Sequence, residues 1–164
     1  MKMSKSPSKT RSVDRVREHL KHSGLTIEVM ELSESTRTAA LAAEAVGSPL
    51  GAIVKSLVFM ADGKPVLVLV SGDKRADHKK LEKILKARRV KIANADRVRE
   101  ATGFAIGGVP PVAHKTKLLT IIDKNLGRFE GLYAAAGSPR AVFPISYETL
   151  LEITEGQLAD VSED

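Results

Sequence analysis

The chain of 164 residues contains no cysteine. That excludes a disulfide framework, a thiolate nucleophile and a cysteine-based zinc site, and it fits a reducing cytoplasm. No apolar run approaches the roughly 18 residues that a membrane-spanning helix needs, so no membrane partner is expected. Aromatic residues make up only 4% of the chain. None of the apolar runs is rich in them, which makes base stacking on a sheet surface a poor description of any nucleic-acid contact and favours recognition of a backbone or an end. Neither a P-loop nor a dinucleotide fingerprint occurs. His19 and His22 lie on one helix without an accompanying carboxylate or cysteine cluster, so no metal and no other cofactor is expected. The N-terminal stretch MKMSKSPSKTR is basic but lacks the apolar core of a secretory signal. Residues 1–11 read as a disordered basic tail, and residues 12–164 as one domain.

What is present supports one real core, since 43% of the residues are hydrophobic in a chain of single-domain length. The formal net charge of +6 and a pI near 9.6 favour a polyanionic partner, RNA or DNA ahead of a membrane surface. Ser12 is placed to cap a helix running to about Ser23, with Val13, Val16 and Leu20 at helical spacing and Gly24 as the stop. Alternation in TIEVMEL (Thr26–Leu32) predicts a strand, and a short alanine-rich helix follows over about Thr38–Val46. AIVKSLVFM (Ala52–Met60) and PVLVLVSG (Pro65–Gly72) flank Asp62-Gly63, a strong hairpin signal. A basic helix is expected around Asp77–Ala87, then a strand RVKIAN and a helix ADRVREATG. Three strands follow at KLLTIID, GLYAAAG and AVFPI, a helix from Ser146 to about Ile153, and a last strand at QLADV. Strands outnumber helices without alternating strictly with them, which predicts an α/β fold with a mixed, mostly antiparallel sheet rather than a doubly wound one.

Lys55 is out of place in its strand. Period-2 alternation groups it with Ile53, Leu57 and Phe59, while Val54, Val58 and Met60 take the other face. With both faces apolar, the strand is expected to be central. A two-residue turn at Asp62-Gly63 pairs 61 with 64 and sets Lys55 opposite Val70, where no acid is available. An unpaired buried ammonium costs several kcal/mol even after relaxation. Three outcomes stay open on strand context alone: the lysine snorkels to the surface, pairs with a distant carboxylate, or projects into a pocket that receives a ligand.

Other stretches also carry candidate chemistry. In GGVPP (Gly107–Pro111), paired glycines let backbone approach a ligand and aim N–H groups at an oxygen, while the prolines stiffen the loop. A tight surface turn is the alternative. His114 closes the loop and is a candidate acid or base, or else a surface histidine. The tetrad SGDK (Ser71–Lys74) matches a Ser-x-x-Lys pattern, but its companion motifs are absent and it reads as a turn at a strand end. Lys79, Lys83 and Lys86 share a helical side while Leu81, Ile84 and Leu85 face inward. Those lysines are candidates for phosphate contact, against the plainer reading of a solvated face.

Four segments in order, TAALAAEAVGSPLGAIVKSLVF, LVLVSGDKRADHKKL, TGFAIGGVPPVAH and AAAGSPRAVFPIS, resemble the YbaK/prolyl-tRNA-editing family of aminoacyl-tRNA deacylases over about residues 13–155. The resemblance implies a single compact α/β domain with a mixed, barrel-like sheet and flanking helices. It implies hydrolysis of a wrong, small amino acid such as Ala, Ser, Cys or Thr from a mischarged tRNA, outside the synthetase and without a protein nucleophile. It allows an aminoacyl-tRNA synthetase as a second partner and leaves the oligomeric state open. It assigns Lys55 to substrate contact and the Gly107–Pro111 loop, with Gly107 and Gly108, to positioning the ester. His114, Gly137 and Ser138 are assigned to the same cleft. One departure stands out: family members with this loop often read Pro-x-Gly-His, whereas Ala113 precedes His114 here. If that position needs a positive φ, the loop around His114 is altered. The alternative function is a non-catalytic module that binds RNA or aminoacyl-tRNA in the same cleft.

Overall fold

The computed structural model describes residues 11–164; most of the expected basic tail, residues 1–10, lies outside them. Five helices surround one sheet: α1 (Ser12–His22), α2 (Ala39–Val46), α3 (His78–Leu85), α4 (Ala95–Thr102) and α5 (Tyr147–Thr154). The strands are β1 (Met30–Glu31), β2 (Ile53–Ala61), β3 (Lys64–Ser71), β4 (Val90–Ile92), β5 (Leu119–Asp123), β6 (Gly131–Ala135), β7 (Ala141–Ser146) and β8 (Gln157–Ala159). They form one eight-stranded sheet in the order β1-β7-β6-β2-β3-β5-β8, with β4 attached to β2. The sheet is mixed: β2 runs parallel to β6, β3 to β5 and β5 to β8, and the other pairings are antiparallel. It is open rather than closed into a barrel, because β1 and β8 stand at its two ends. No helix among the described residues is long and apolar enough to cross a membrane.

The β2–β3 hairpin is the centre of the fold and has the expected register, Ala61 opposite Lys64 and Lys55 opposite Val70. Both turn residues, Asp62 (φ 48°) and Gly63 (φ 84°), have positive φ, as a type I′ hairpin turn requires. Leu67, Val68, Leu69 and Val70 have no exposed surface, so β3 is buried on both faces. Each such side chain contributes about 1.5–3 kcal/mol of hydrophobic stabilisation. One face, with Val54, Val58, Leu67 and Leu69, packs against α1, α4 and α5 through Val16, Val98 and Leu150. The opposite face, with Phe59, Val66, Val68 and Val70, is covered by α3 through Leu81.

Several boundaries differ from the sequence expectation. The strand expected over Thr26–Leu32 pairs only at Met30 and Glu31, against Val142 and Ala141. Ile27 and Val29 pack on the core, so the alternation there records packing more than ladder pairing. Arg11, not Ser12, is the N-cap of α1 and makes no side-chain cap. Its guanidinium instead pairs with Asp14 and Glu31. Helix α3 ends at Leu85 and Lys86 lies beyond it, at φ 54°.

Candidate active site

The cavity that holds Lys55 exists because β2 changes its edge partner. At its start, Ile53 and Val54 pair with β6; at its end, Phe59, Met60 and Ala61 pair with β4. The Val58 carbonyl accepts from Ala93 N–H at 2.9 Å. Residues 55–57 therefore have no strand beside them on that edge, and the sheet splits. The opening is a cavity of about 430 Å³ lined by Lys55, Ser56, Leu57, Ile92, Gly107, Val109, Tyr133 and residues 36–39 at the start of α2. Its lining is mainly apolar with a few polar groups, and its size is that of a small-ligand site.

Lys55 is half-buried, and its ammonium donates to the carbonyl of Lys74, at the end of the Ser71–Lys74 turn. None of the ion pairs among the described residues involves it. Burial pushes its pKa below the ordinary lysine value, Arg75 adds to that and Asp73 opposes it. Of the three outcomes the strand context allowed, the lysine takes none purely: its ammonium is held by a backbone carbonyl rather than a carboxylate, and the residue lines the cavity. The SGDK tetrad is a structural turn. Ser71 is fully buried, and its hydroxyl donates to the Gly51 carbonyl at 2.8 Å and accepts from Arg128 at 3.1 Å.

The glycine loop divides its residues between different tasks. Gly108 N–H donates to the Ala105 carbonyl at 3.0 Å, closing a turn in which Gly107 occupies the third position at φ 90°, as a type II turn demands. Gly107 lines the cavity, and its N–H has no acceptor among the described residues. Gly108 does not line it. A Cβ there would lie 2.8 Å from Ser138 Cα, and the Gly108 carbonyl accepts from Gly137 N–H at 2.9 Å. Gly137 (φ 96°) in turn sits against the start of α1, 2.8 Å from the Ser12 carbonyl at its Cβ position. Gly108, Gly137 and Ser138 thus form the layer that holds Gly107 at the cavity wall. The N–H of Gly108 is already engaged and does not face the cavity as a free donor, contrary to the sequence expectation.

Pro111 and His114 face elsewhere. They line a second crevice of about 260 Å³ with His19, Lys117 and Glu155, and it shares no residue with the Lys55 cavity. His114 Nε2 donates to the Pro110 carbonyl at 2.7 Å, taken as its protonated tautomer. Burial pushes the His114 pKa down, the Pro110 contact opposes this, and His19 adds to it. Ala113 has φ 71°: the loop keeps the left-handed conformation that glycine would favour and carries the strain of an alanine, about 1–2 kcal/mol. Lys79, Lys83 and Lys86 are exposed, the first two on the face of α3 away from the sheet and Lys86 just past its end, and none of them lines the cavity. Lys80 instead pairs with Asp160 and Asp164 and holds the C-terminus.

Sequence reasoning missed Arg37, Ser56 and Tyr133. Arg37 is exposed at the rim, where a Cβ added at Gly107 would lie 3.1 Å from the Arg37 Cβ. Ser56 Oγ is buried without a hydrogen-bond partner, alone in this among the described residues. The one signal for it was adjacency to Lys55. No cluster of three or more His, Asp, Glu or Cys residues suited to a metal occurs among the described residues.

The profile of the aminoacyl-tRNA editing domain family matches residues 33–153, a span that includes Lys55, the glycine loop and Ser138. The uncharacterised protein YwhH of Bacillus subtilis is 31% identical over 157 residues, covering 93% of this chain and 98% of that one. EbsC of Enterococcus faecalis, named as a candidate Cys-tRNA(Pro)/Cys-tRNA(Cys) deacylase, is 27% identical over 131 residues, covering 79% of this chain and 80% of its own. A crystal structure described as that of a candidate trans-editing enzyme for prolyl tRNA synthetase superposes with a TM-score of 0.88 at 44% identity, covering 98% of this chain and 100% of that one.

Proposed function

The chain belongs to the aminoacyl-tRNA editing domain family, and on that premise we propose that it is a trans-acting aminoacyl-tRNA deacylase of the cytoplasm. Its substrate is a tRNA mischarged with a small amino acid such as Ala, Ser, Cys or Thr, in the pathway of an aminoacyl-tRNA synthetase. The observation that carries this reading is the Lys55 ammonium, half-buried in the wall of a cavity of about 430 Å³ and held by a backbone carbonyl rather than a carboxylate. Its charge is left for an anionic or strongly polar ligand group, and the tRNA end supplies one.

In the reaction, water adds to the ester carbonyl carbon and the carbonyl oxygen becomes an oxyanion. The carbon–oxygen bond to the ribose then breaks, the ribose oxygen takes a proton, and the free amino acid leaves. The terminal hydroxyl of the tRNA and a bound water carry the proton transfers, so no protein nucleophile is needed. Lys55 anchors and orients the substrate through position and charge. The unpaired Gly107 N–H is a donor for the developing oxyanion; such pre-aimed donors are worth about 2.7–4 kcal/mol each where measured. Gly108, Pro111, Gly137 and Ser138 act behind it, holding the loop, and His114 braces the loop through Pro110. Lys79, Lys83 and Lys86 meet tRNA phosphates farther from the ester.

The test is a deacylation panel of tRNAs charged with Ala, Ser, Cys and Thr, run with the wild-type chain and Lys55→Ala. We expect at least one ester to be cleaved quickly by the wild type and at the background rate by a folded Lys55→Ala protein. Background rates with both proteins on every substrate would instead favour a binding module without hydrolysis, and equally fast cleavage by both would overturn the role given to Lys55.

A further inference from the structure

Lys55 ends in four rotatable bonds, and the position of its ammonium is set by its acceptor, the Lys74 carbonyl. That carbonyl belongs to a partly exposed turn whose own backbone closure is one hydrogen bond, Lys74 N–H to the Ser71 carbonyl at 3.0 Å. What fixes the turn is a cluster on its outer side. Arg128 grips the Asp73 carboxylate with both terminal nitrogens, at 2.7 and 3.1 Å. The nitrogen at 2.7 Å also reaches Ser71 Oγ at 3.1 Å. Arg128 is itself immobilised, because Nε donates to the Asn125 carbonyl at 2.8 Å and the guanidinium stacks on Phe129 at 5.1 Å.

Two glycines keep this cluster closed. A Cβ at Gly51 would lie 2.9–3.0 Å from Phe129, Arg128 and Asp73, and one at Gly72 would lie 2.3 Å from the Leu50 carbonyl. Gly72 N–H also donates to the Ile53 carbonyl at 2.8 Å, tying the turn to β2 two residues before Lys55. An isolated pair as exposed as Asp73 and Arg128 adds little stability. A bidentate pair that shares a donor with a buried serine fixes geometry instead.

We propose that Asp73 and Arg128 are positioning residues for Lys55: their ion pair clamps the Ser71–Lys74 turn, and the clamped Lys74 carbonyl aims the ammonium into the cavity. The proposal rests on the reading of Lys55 as the cation that orients the substrate. Asp73 has a second effect at the same place, since its negative charge supports the Lys55 ammonium against burial and Arg75.

The test compares Arg128→Ala, Asp73→Asn, Arg128→Lys and Lys55→Ala in the full chain by single-turnover deacylation of whichever tRNA in the Ala, Ser, Cys and Thr panel the wild type cleaves. Arg128→Ala and Asp73→Asn are expected to slow the reaction about 10–100-fold, the scale of a side chain misplaced by about 1 Å. Their tRNA affinity and melting temperature should stay near wild type. Arg128→Lys, which keeps the charge and loses the fork, should recover part of the rate. The Lys55 Cε NMR resonance, assigned through Lys55→Ala, reads the contact without any substrate. In Arg128→Ala it should titrate closer to an ordinary lysine than in the wild type. Wild-type rates in the clamp variants beside an inactive Lys55→Ala would overturn the clamp and leave the Lys55 reading standing. A fully active Lys55→Ala would overturn the Lys55 reading itself. An unchanged Lys55 resonance in Arg128→Ala, or rate losses that only follow lost folding, would also overturn the clamp.

Discussion

Gly108→Ala separates the two readings of the glycine loop. A methyl group at this position would lie 2.8 Å from Ser138 Cα and 2.9 Å from its C and N atoms, all of them backbone. Ordinary contact begins at 3.4 Å, so one segment must retreat by about 0.6 Å. Neither gives way easily: Gly137 N–H binds the Gly108 carbonyl at 2.9 Å, and Gly137 is itself pressed against the first turn of α1. Overpacking of this kind costs about 1–3 kcal/mol. For a domain of this length, each kcal/mol moves the melting temperature by roughly 2–4 °C, so a fall of about 2–12 °C is expected. The companion is Gly131→Ala, where the Cβ position is open and φ is not in the left-handed range. That variant should stay within about 0.5 kcal/mol of wild type. Thermal unfolding followed by circular dichroism reads both. If Gly108→Ala melts with Gly131→Ala while losing deacylation, Gly108 acts on the substrate directly, and the packing argument fails.

Two further perturbations have signs fixed by the structure. Ser56→Ala removes a buried hydroxyl without a partner, so the ligand-free protein should gain about 1 kcal/mol, read as a higher urea midpoint at unchanged slope; a lower midpoint would show that the hydroxyl is satisfied. His114 has its pKa pushed below the ordinary 6.5 by burial, and His19 shifts the same way. Between the depressed folded values and 6.5, the unfolded chain binds protons that the folded chain does not. Stability is therefore present above that window and falls as pH drops through it, by at most about 1.4 kcal/mol per pH unit for the largely buried His114 and by less for His19, whose greater exposure lets solvent screen it. His114→Gln should flatten the decline between pH 7.5 and 5.5 in urea unfolding, and an unchanged slope would assign the dependence elsewhere.

The hairpin register was readable because two independent signals agree: a period-2 pattern on both runs, and an Asp-Gly pair that only a positive-φ turn accommodates comfortably. With that register, the absence of an acid opposite Lys55 followed from the sequence alone. The acceptor that the lysine does find was not readable, because a backbone carbonyl has no residue type to mark it. Glycine raised a related difficulty. Gly107 and Gly108 are identical neighbours, yet one bends a turn at the cavity wall and the other admits the Ser138 backbone. Sequence records only that a side chain is missing, not what takes its place. His114 lines a different crevice from Lys55, where the sequence reading put both in one cleft, for a geometric reason: the chain from Gly107 to His114 passes between two cavities, and seven residues are enough to cross from one to the other. The largest gap concerned the cavity itself. It depends on β6 and β4 sharing one edge of β2 and leaving residues 55–57 between them, a relation among segments up to 80 residues apart in sequence. The lysine marked the place from within the strand; the space it faces was set by strands that local pattern could not position.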